Sequence, residues 1–274
     1  MRLGEMSWTE VRDTIKQGAA AIIPLGSIEE HGPHAPMGDY VVIDAIAERT
    51  ANMTGDLVVP TMPFGYSEYF RDYPGTITLR PETLAGVVAD VVDCLLRHRL
   101  RHIVLFNGHA GNAPILELLT RRIRRDRGLL IPTVSPLQVI QNPALIKELY
   151  GEGIQLGHGG EPVGSLMMAL QPGRVHMERA GSFGRKQIWG MPTDGLGAIL
   201  FRGIRVALPL DMGDVTPETG SLSDPSLASE DRGRALLEYA VKYCAEFMRW
   251  FRTVDPQVDT DRSVSARAMS PGSI

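Results

Sequence analysis

The feature that most constrains the fold is an alternation of short apolar runs with stretches of helical periodicity. Residues 19–25 and 102–106 are runs of strand length made mainly of apolar side chains, as is typical of strands buried on both faces. Between them, apolar residues recur at three- and four-residue steps from Leu84 to Leu95, which predicts an amphipathic helix beginning near Pro81. Strands that alternate with helices predict an α/β fold with a mostly parallel sheet, covered by helices on both faces.

The same periodicities place further elements along the chain. Strands are predicted at residues 57–62, 129–134 and 204–210, the last near a sheet edge because Pro209 lies near its end. Helices are predicted at residues 41–53, 112–127, 142–150, 161–170 and 228–251. No linker rich in Pro and Ser interrupts these elements, so we predict a single domain over residues 1–252. Residues 253–274 lack apolar periodicity and are predicted to form a loose C-terminal tail.

Composition and charge exclude several classes of protein. Hydrophobic residues make up 43% of the 274 and charged residues 22%, which is ordinary for a globular domain and argues against disorder or a coiled coil. Lys and Arg number 28 against 32 Asp and Glu, a net charge of −4, so we expect neither nucleic acid nor an anionic membrane as a partner. The locally basic run 121–127 is interpreted as the solvated end of a helix.

Targeting signals and cysteines narrow the cellular setting. The N-terminus lacks an apolar core followed by a small-residue cleavage site, and the most apolar stretch is far shorter than the roughly 20 residues that span a bilayer. The two cysteines, Cys94 and Cys244, exclude a Cys-rich zinc site, and both are predicted to be core or inert thiols. We therefore expect a cytoplasmic protein that acts on a small molecule.

The densest cluster of chemistry-bearing residues follows the first predicted strand. A loop rich in Gly and Pro carries Glu29, Glu30, His31, His34 and Asp39. Imidazole nitrogens and carboxylate oxygens suit Zn, Mn and similar divalent metals, and Gly and Pro fix an irregular backbone that can aim several side chains at one point. Loop histidines are often plain surface residues, but this density favours a metal site.

Two further clusters stand where predicted strands give way to helices. The segment 107–112, Asn-Gly-His-Ala-Gly-Asn, follows the strand 102–106, and Asn112 could cap the next helix. By itself this segment also fits a phosphate-binding turn or a plain connection, although no Walker lysine is present. The segment 157–161, Gly-His-Gly-Gly-Glu, again enters a predicted helix, and it fits an ordinary turn equally well. Because ligands bind at the carboxyl ends of parallel strands, the clusters together predict a composite metal site.

On these motifs the sequence resembles the creatininase (creatinine amidohydrolase) family, in a branch other than creatininase itself. The family motifs Gly-Ser-x-Glu-Gln-His-Gly-Pro-His-Leu-Pro, Asn-Gly-His-Gly-Gly-Asn and His-Ala-Gly-Glu-x-Glu-Thr-Ser correspond to residues 26–36, 107–112 and 158–165. Residues 64–67 with 73–76, and residues 224–229, match as well. The resemblance spans roughly residues 6–250. It implies a three-layer α/β/α sandwich and a homo-oligomer, by family resemblance a hexamer.

The resemblance also implies a two-metal hydrolytic centre, with Zn the first expectation and Mn or Fe as alternatives. Carried over by position, Glu29, His31 and His109 are metal ligands and His158 is the catalytic histidine. The family's bridging aspartate lies nine residues after the ligand histidine, where this chain has a tyrosine, so Asp39, one residue earlier, is assigned as the bridging ligand.

One carboxylate residue of creatininase itself is absent from the equivalent position of this chain. Creatininase has a Glu two residues after the histidine of the second motif, and this chain has Gly111 there. Glu161 in the third motif is expected to supply the missing carboxylate, as in the family's other branches.

Departures from the family motifs argue against creatinine as the substrate. Glu30 replaces the usual Gln, and Val163 and Gly164 replace Glu and Thr. Residues 68–72 lack the histidine often found between the Gly-Tyr-Ser and Pro-Gly-Thr stretches. Three residues near the expected pocket are assigned to substrate binding, with Arg71 suited to an anionic or carbonyl-rich group. They are His34, Tyr66 and Arg71.

The resulting hypothesis is metal-dependent hydrolysis of a small cyclic amide. A hydroxide bridging the two metals attacks the carbonyl carbon, and His158 acts as general acid and base toward the leaving nitrogen. One alternative within enzymes is that the same centre cleaves a carbon–carbon bond of a cyclic diketone. An alternative of another class is a catalytically silent metal-binding scaffold, although buried carboxylates without a cation would be costly to keep.

Overall fold

A four-stranded parallel sheet lies at the centre of the structure, a computed structural model that describes residues 1–216 and 218–258. The strands are β1 (Ala21–Leu25), β2 (Leu57–Val58), β3 (Ile103–Asn107) and β4 (Thr133–Val134), in the spatial order β2-β1-β3-β4. β1 and β3 pair along their whole length, with Ala21 opposite Ile103 and Leu25 opposite Asn107. The two central strands therefore end at the same level, and the predicted α/β fold with a mostly parallel sheet is confirmed.

Helices surround this sheet. The α-helices are α1 (Trp8–Lys16), α2 (Tyr40–Thr54), α3 (Pro81–Arg97), α4 (Ala113–Arg127), α5 (Pro136–Val139), α6 (Pro143–Tyr150), α7 (Val163–Leu170), α8 (Met212–Val215) and α9 (Glu230–Phe251). Short 3₁₀ helices lie at Leu3–Glu5, Glu68–Phe70, Ala110–Asn112, Met177–Arg179 and Pro225–Leu227. Within the described ranges, no helix has both the length and the apolar character needed to cross a membrane.

Alternate residues of β1 feed two separate hydrophobic cores. Ile22 packs into a core with apolar residues of α2, α7 and α9. Ala21 and Ile23 pack into a second core with apolar residues of α3 and α4, against which α1 also packs. Because successive side chains of a strand point to opposite faces, this alternation places helices on both faces of the sheet. The three-layer α/β/α sandwich predicted from the family resemblance is confirmed.

The strand order creates one point where the chain reverses direction across the sheet. From β1 the chain crosses through α2 to β2 on one side, and through α3 it returns to β3 on the other side of β1. The carboxyl ends of β1 and β3 flank this switch point, which is where ligands bind in open α/β sheets. The loop after β1 and the segment after β3 both begin there, so the first two sequence clusters meet.

Two predicted strands are shorter than their apolar runs. The run 57–62 pairs as a strand only at Leu57–Val58, and the run 129–134 only at Thr133–Val134. Pro60 and Pro132 stand within these runs, and proline has no N–H to donate to a sheet ladder. The helix predicted at 161–170 begins two residues late, at Val163.

The strand predicted at 204–210 belongs to a different sheet. β6 (Ile204–Ala207) pairs antiparallel with β5 (Ala198–Phe201), which the sequence pattern did not predict. All four residues of β6 are exposed, so this hairpin stands outside the two cores. Helix α1 was also missed, although Ser7 and Glu10 form the capping box that marks its start.

The first residues of the predicted tail pack against the domain. The Leu130 N–H donates to the carbonyl of Pro256, and the Val258 N–H donates to the carbonyl of Gly128. Residues 253–258 therefore lie beside the segment that follows α4. The remainder of the predicted tail, 259–274, lies outside the described residues.

Candidate metal centre

Three buried side chains converge at the carboxyl ends of β1 and β3. They are Glu29, Asp39 and His109, and one ligand atom of each lies within 4.8 Å of the others. His109 Nδ1 lies 3.1 Å from Asp39 Oδ2 and 3.3 Å from Glu29 Oε1. Each of these residues is at most 3% exposed. Two carboxylates so close together and removed from water are costly unless a positive charge lies between them, and this donor set fits a divalent cation.

A backbone contact fixes which nitrogen of His109 faces the carboxylates. His109 Nε2 lies 2.8 Å from the carbonyl oxygen of Tyr66. A carbonyl can only accept, so Nε2 carries a proton and donates it there. Nδ1 is then free to face Glu29 and Asp39, the arrangement usual for a metal-binding histidine.

The same two carboxylates govern the protonation of His109. Burial alone would lower the pKa of His109, but Glu29 and Asp39 raise it well above its usual value. A proton on Nδ1 therefore takes the place at which a cation would bind, and the two compete for the same atom.

Each carboxylate uses one oxygen to hold its loop and leaves the other for the cluster. Asp39 Oδ1 accepts the backbone N–H of Ser27 at 2.7 Å. Glu29 Oε2 accepts the Ser67 hydroxyl at 2.5 Å, and that hydroxyl lies 2.5 Å from the hydroxyl of Ser27. Asp39 also stands immediately before α2, where the helix dipole favours a negative charge.

Gly111 allows the two loops to approach each other closely. A Cβ at this position would lie 2.1 Å from the carbonyl oxygen of Tyr66 and 2.1 Å from the hydroxyl of Tyr69. A carboxylate at position 111 therefore has no space in this chain. The next residue, Asn112, makes no capping hydrogen bond to α4. Its amide accepts the Tyr66 N–H at 2.9 Å and donates to the carbonyl of Gly26 at 3.3 Å, so it joins the loops instead.

His31 lies next to the cluster with both ring nitrogens free. It is 4% exposed, and among the described residues neither Nδ1 nor Nε2 has a hydrogen-bond partner. Burial, with the neighbouring His158, lowers the pKa of His31 to about 3. Its ring stacks on His158 with the centroids 4.5 Å apart. A neutral imidazole with unused lone pairs fits a metal ligand.

His158 is held between Glu30 and the cluster. Its Nε2 lies 2.6 Å from the backbone oxygen of Glu30 and 3.1 Å from Glu30 Oε1. Its Nδ1 lies 3.9 Å from Glu29 Oε1, and Phe70 stacks on its ring at 4.3 Å. Burial would lower the pKa of His158, but Glu30 raises it above its ordinary value. Glu30 thus contacts His158, a role that the sequence analysis did not assign to it.

Glu161 lies apart from the three converging side chains. Its carboxylate accepts the hydroxyl of Tyr150 at 2.5 Å and that of Ser165 at 2.8 Å. Burial raises the pKa of Glu161. Its assignment as a metal ligand stays a prediction.

A cavity of about 340 Å³ opens over the cluster. Its charged and imidazole wall consists of Glu29, His31, Asp39, His109 and His158, and its other wall includes Tyr69, Phe70, Leu137, Leu156, Val163 and Leu196. Burial and the nearby Glu29 raise the pKa of Tyr69, so its hydroxyl stays protonated. Sequence reasoning missed Tyr69 and Phe70 individually, although it marked their segment as unusual.

The three residues assigned to substrate binding are not among those that line this cavity. The Arg71 side chain is 53% exposed and pairs with Glu68 at 2.7 Å and Asp211 at 3.4 Å, so it faces solvent rather than the cavity. Tyr66 contributes its backbone carbonyl to the site, and His34 is a buried residue of the loop, 2% exposed.

The fold and the site together define a three-layer α/β protein with a candidate metal site. The chain belongs to the creatininase family, because the family model described as "Creatininase: Creatinine amidohydrolase" matches residues 4–248. Creatinine amidohydrolase of Pseudomonas putida is 30% identical over 90% of this chain and 95% of that protein. The 3-dehydro-scyllo-inosose hydrolase of Thermotoga maritima is 28% identical over 90% and 83%. A mycofactocin precursor peptide peptidase of Mycobacterium tuberculosis is 26% identical over 94% of both chains.

Solved creatininase structures share this fold, and two of them are described as metal forms. A manganese form of creatininase is 29% identical, with a TM-score of 0.75 over 91% of this chain and 97% of that chain. A zinc–zinc form of a mutant creatininase is 30% identical, with a TM-score of 0.74 over the same shares. Since these relatives and structures are hydrolases, the chain is a hydrolase of this family with a candidate metal site at Glu29, Asp39 and His109.

Proposed function

We propose that this protein is a metal-dependent hydrolase that cleaves the C–N bond of a small, cyclic amide or a related carbonyl compound. The observation that carries the proposal is the convergence of His109 Nδ1 with Glu29 and Asp39 in a buried cavity, with His158 beside them. The similarity to an amidohydrolase and to a peptidase supports an amide as the bond cleaved.

The proposal includes two divalent cations, with Zn first and Mn or Fe as alternatives. Glu29, Asp39 and His109 would hold one, and His31 would hold the second together with Asp39 and Glu161. When bound, such cations polarise a carbonyl group and lower the pKa of water from 15.7 to about 7. The unpartnered nitrogens of His31 support the second position.

His158 would move the proton that the leaving nitrogen needs. Glu30 engages Nε2, so Nδ1 is the atom that faces the cluster and the cavity. Because Glu30 raises the pKa of His158, the imidazolium is available near neutral pH to donate a proton. General acid catalysis of this kind contributes about 10²- to 10⁴-fold to a rate.

Cleavage of a carbon–carbon bond in a cyclic diketone is the second candidate. One relative, the 3-dehydro-scyllo-inosose hydrolase, is not named for an amide substrate. The same cluster and the same histidine would serve, with an enolate leaving in place of an amine.

The test combines metal analysis with a substrate panel. The protein is purified without added metal, analysed for bound elements, dialysed against a chelator and reloaded with Zn²⁺ or Mn²⁺. Each form is assayed on lactams, formamides and cyclic diketones. We expect hydrolysis of a cyclic amide only in the forms that contain metal, and full activity in demonstrably metal-free protein would overturn the proposal.

Two histidine variants complete the test. His158→Ala should lose about 10²- to 10⁴-fold in turnover while keeping its metal content. His176→Ala, whose side chain is 41% exposed, is the matched control and should keep both. If the protein is instead a catalytically silent scaffold, neither the metal-free nor the metal-loaded form will show turnover. The His158→Ala variant will then match the wild type in turnover and in metal content.

A further inference from the structure

The cavity over the cluster is lined by chemically unlike residues. Some are the carboxylates and imidazoles of the candidate metal centre, and Tyr69 and Gln141 add two polar side chains. Five large apolar side chains complete the lining, and we call them the apolar wall: Phe70, Leu137, Leu156, Val163 and Leu196. Apolar surface that faces a ligand cavity is the part of a site that binds apolar groups of the ligand.

The apolar wall is assembled from segments that are distant in sequence. Phe70 ends a 3₁₀ helix, Leu137 belongs to α5 and Val163 is the first residue of α7. Leu156 precedes the third motif and Leu196 precedes β5. Apart from Phe70, these side chains are only partly buried, so they keep apolar surface that a bound group can cover. Several separate segments therefore contribute apolar side chains to the same cavity, which distinguishes this lining from the exposed apolar stripe of a single helix.

Departures from the family motifs fall on this wall. Val163 stands where the third motif has Glu, and Phe70 comes from the segment that lacks the usual histidine. Both side chains line the cavity. Two of the departures from the family motifs therefore place apolar side chains in the lining of the cavity.

The described residues that line the cavity include no Lys or Arg. Arg71, the nearest candidate from the sequence, pairs with Glu68 outside it. When the scissile carbonyl lies at the metal centre, a carboxylate or phosphate on the substituent would face the apolar wall, where the lining residues offer no cation. Burying such a charge without a partner is costly, so the apolar wall selects against an anionic substituent.

From these observations we infer that the substrate is an uncharged amide whose scissile carbonyl lies at the metal centre and whose apolar substituent lies on the apolar wall. The volume of about 340 Å³ suits a ring with one substituent of isobutyl or benzyl size. The identity of the scissile bond rests on the proposed hydrolase function. The apolar character of the substituent rests on the apolar wall alone.

Substituted hydantoins test the inference because the cyclic amide stays constant while the substituent changes. The set is hydantoin itself and its 5-isobutyl, 5-benzyl and 5-carboxymethyl derivatives. In Zn²⁺-loaded protein, we expect kcat/KM for the isobutyl and benzyl compounds to exceed that for hydantoin by about 10- to 100-fold. The kcat/KM value for the carboxymethyl compound should be lower than that for hydantoin. The same compounds are titrated calorimetrically into metal-free protein, where the order of Kd values should be the same.

Variants show whether the apolar wall sets this order. Val163→Lys adds a cation to the apolar wall. It should raise kcat/KM for the carboxymethyl compound at least about tenfold relative to kcat/KM for the isobutyl compound. Leu196→Ala should reduce the isobutyl preference without favouring the carboxylate, and it serves if Val163→Lys does not fold. Leu118→Lys, at a side chain 71% exposed on α4, is the matched control and should leave the order unchanged. Melting temperature and metal content are measured for each variant.

The two arms separate the inference from the proposed function. If the compounds bind in the expected order but no hydantoin is hydrolysed, the proposed amide hydrolase function is refuted and the role of the apolar wall in binding is supported. Hydrolysis with equal values for the isobutyl and carboxymethyl compounds would support the hydrolase and overturn the inference. The inference is also overturned if the protein neither binds nor hydrolyses the apolar compounds. It is likewise overturned if neither Val163→Lys nor Leu196→Ala changes the order of the compounds.

Discussion

Replacing Asp39 by Asn should leave the metal-free protein folded and remove its thermal response to zinc. The amide oxygen of Asn can still accept the backbone N–H of Ser27, which holds the loop at 2.7 Å. The change removes one of the two negative charges that face His109 Nδ1. The change relieves the repulsion between the two carboxylates and also removes the attraction of Asp39 for protonated His109. Because these effects oppose each other, the metal-free variant should melt within about 5 °C of the metal-free wild type.

The expected magnitude follows from ligand binding to the folded state. A ligand present at about 100 times its Kd stabilises a protein by about 2.7 kcal/mol. For a domain of this size, 1 kcal/mol shifts the melting temperature by about 2–4 °C, so wild-type protein should gain about 5–10 °C with zinc. Asp39→Asn replaces one of the three converging ligand atoms and should gain less than about 2 °C.

The assay is differential scanning calorimetry with and without excess Zn²⁺, after chelator treatment. Asp231→Asn is the matched control, because its side chain is 92% exposed and lies on α9. It should keep the full zinc response. An equal zinc response in Asp39→Asn and wild type would refute the assignment of Asp39, as would a metal-free variant that melts more than about 5 °C below wild type.

Three further predictions concern the loops and the thiols. Gly111→Ala places a methyl group against a backbone carbonyl and should cost about 3 kcal/mol in urea unfolding, whereas Gly86→Ala, in open space on α3, should stabilise by about 1 kcal/mol. Asn112→Ala leaves two loop backbone groups unpaired and should cost about 2 kcal/mol in the same assay; an unchanged midpoint would contradict the bridging role. A thiol reagent at about pH 8 should modify Cys94, which is exposed, and spare Cys244, since burial raises the pKa of that thiol to about 12; modification of both thiols in folded protein would contradict this.

The central sheet could be predicted from the sequence because its signal is local. Each buried strand is a short apolar run, and each helix carries its own three- and four-residue repeat, so periodicity suffices. The ends of β2 and β4 could not be predicted in the same way, because a proline matters only where a neighbouring strand needs its N–H. The pairing of β5 with β6 could not be predicted either, because all four residues of β6 are exposed and give no burial pattern.

The candidate site likewise combines features that local sequence motifs predict with contacts between distant segments that they do not predict. The motifs predicted that Glu29 and His109 would meet, and the structure places Asp39, rather than the tyrosine that follows it, in the cluster. The backbone carbonyl of Tyr66 that orients His109 has no residue-type signal, because every residue carries a carbonyl. The contact of Glu30 with His158 joins positions 128 apart in sequence, which a motif read one segment at a time does not reveal.

The separation of the ligands along the chain has a consequence for how the protein unfolds. Asp39 and His109 are 70 positions apart, yet β1 and β3 bring them together by their own pairing, before any cation is present. A cation that joins them therefore acts as a reversible crosslink across a long loop of the native chain. Global unfolding must break that crosslink, so metal loading should act mainly on the rate of unfolding and on the lifetime of the protein against proteases, and little on the rate of folding.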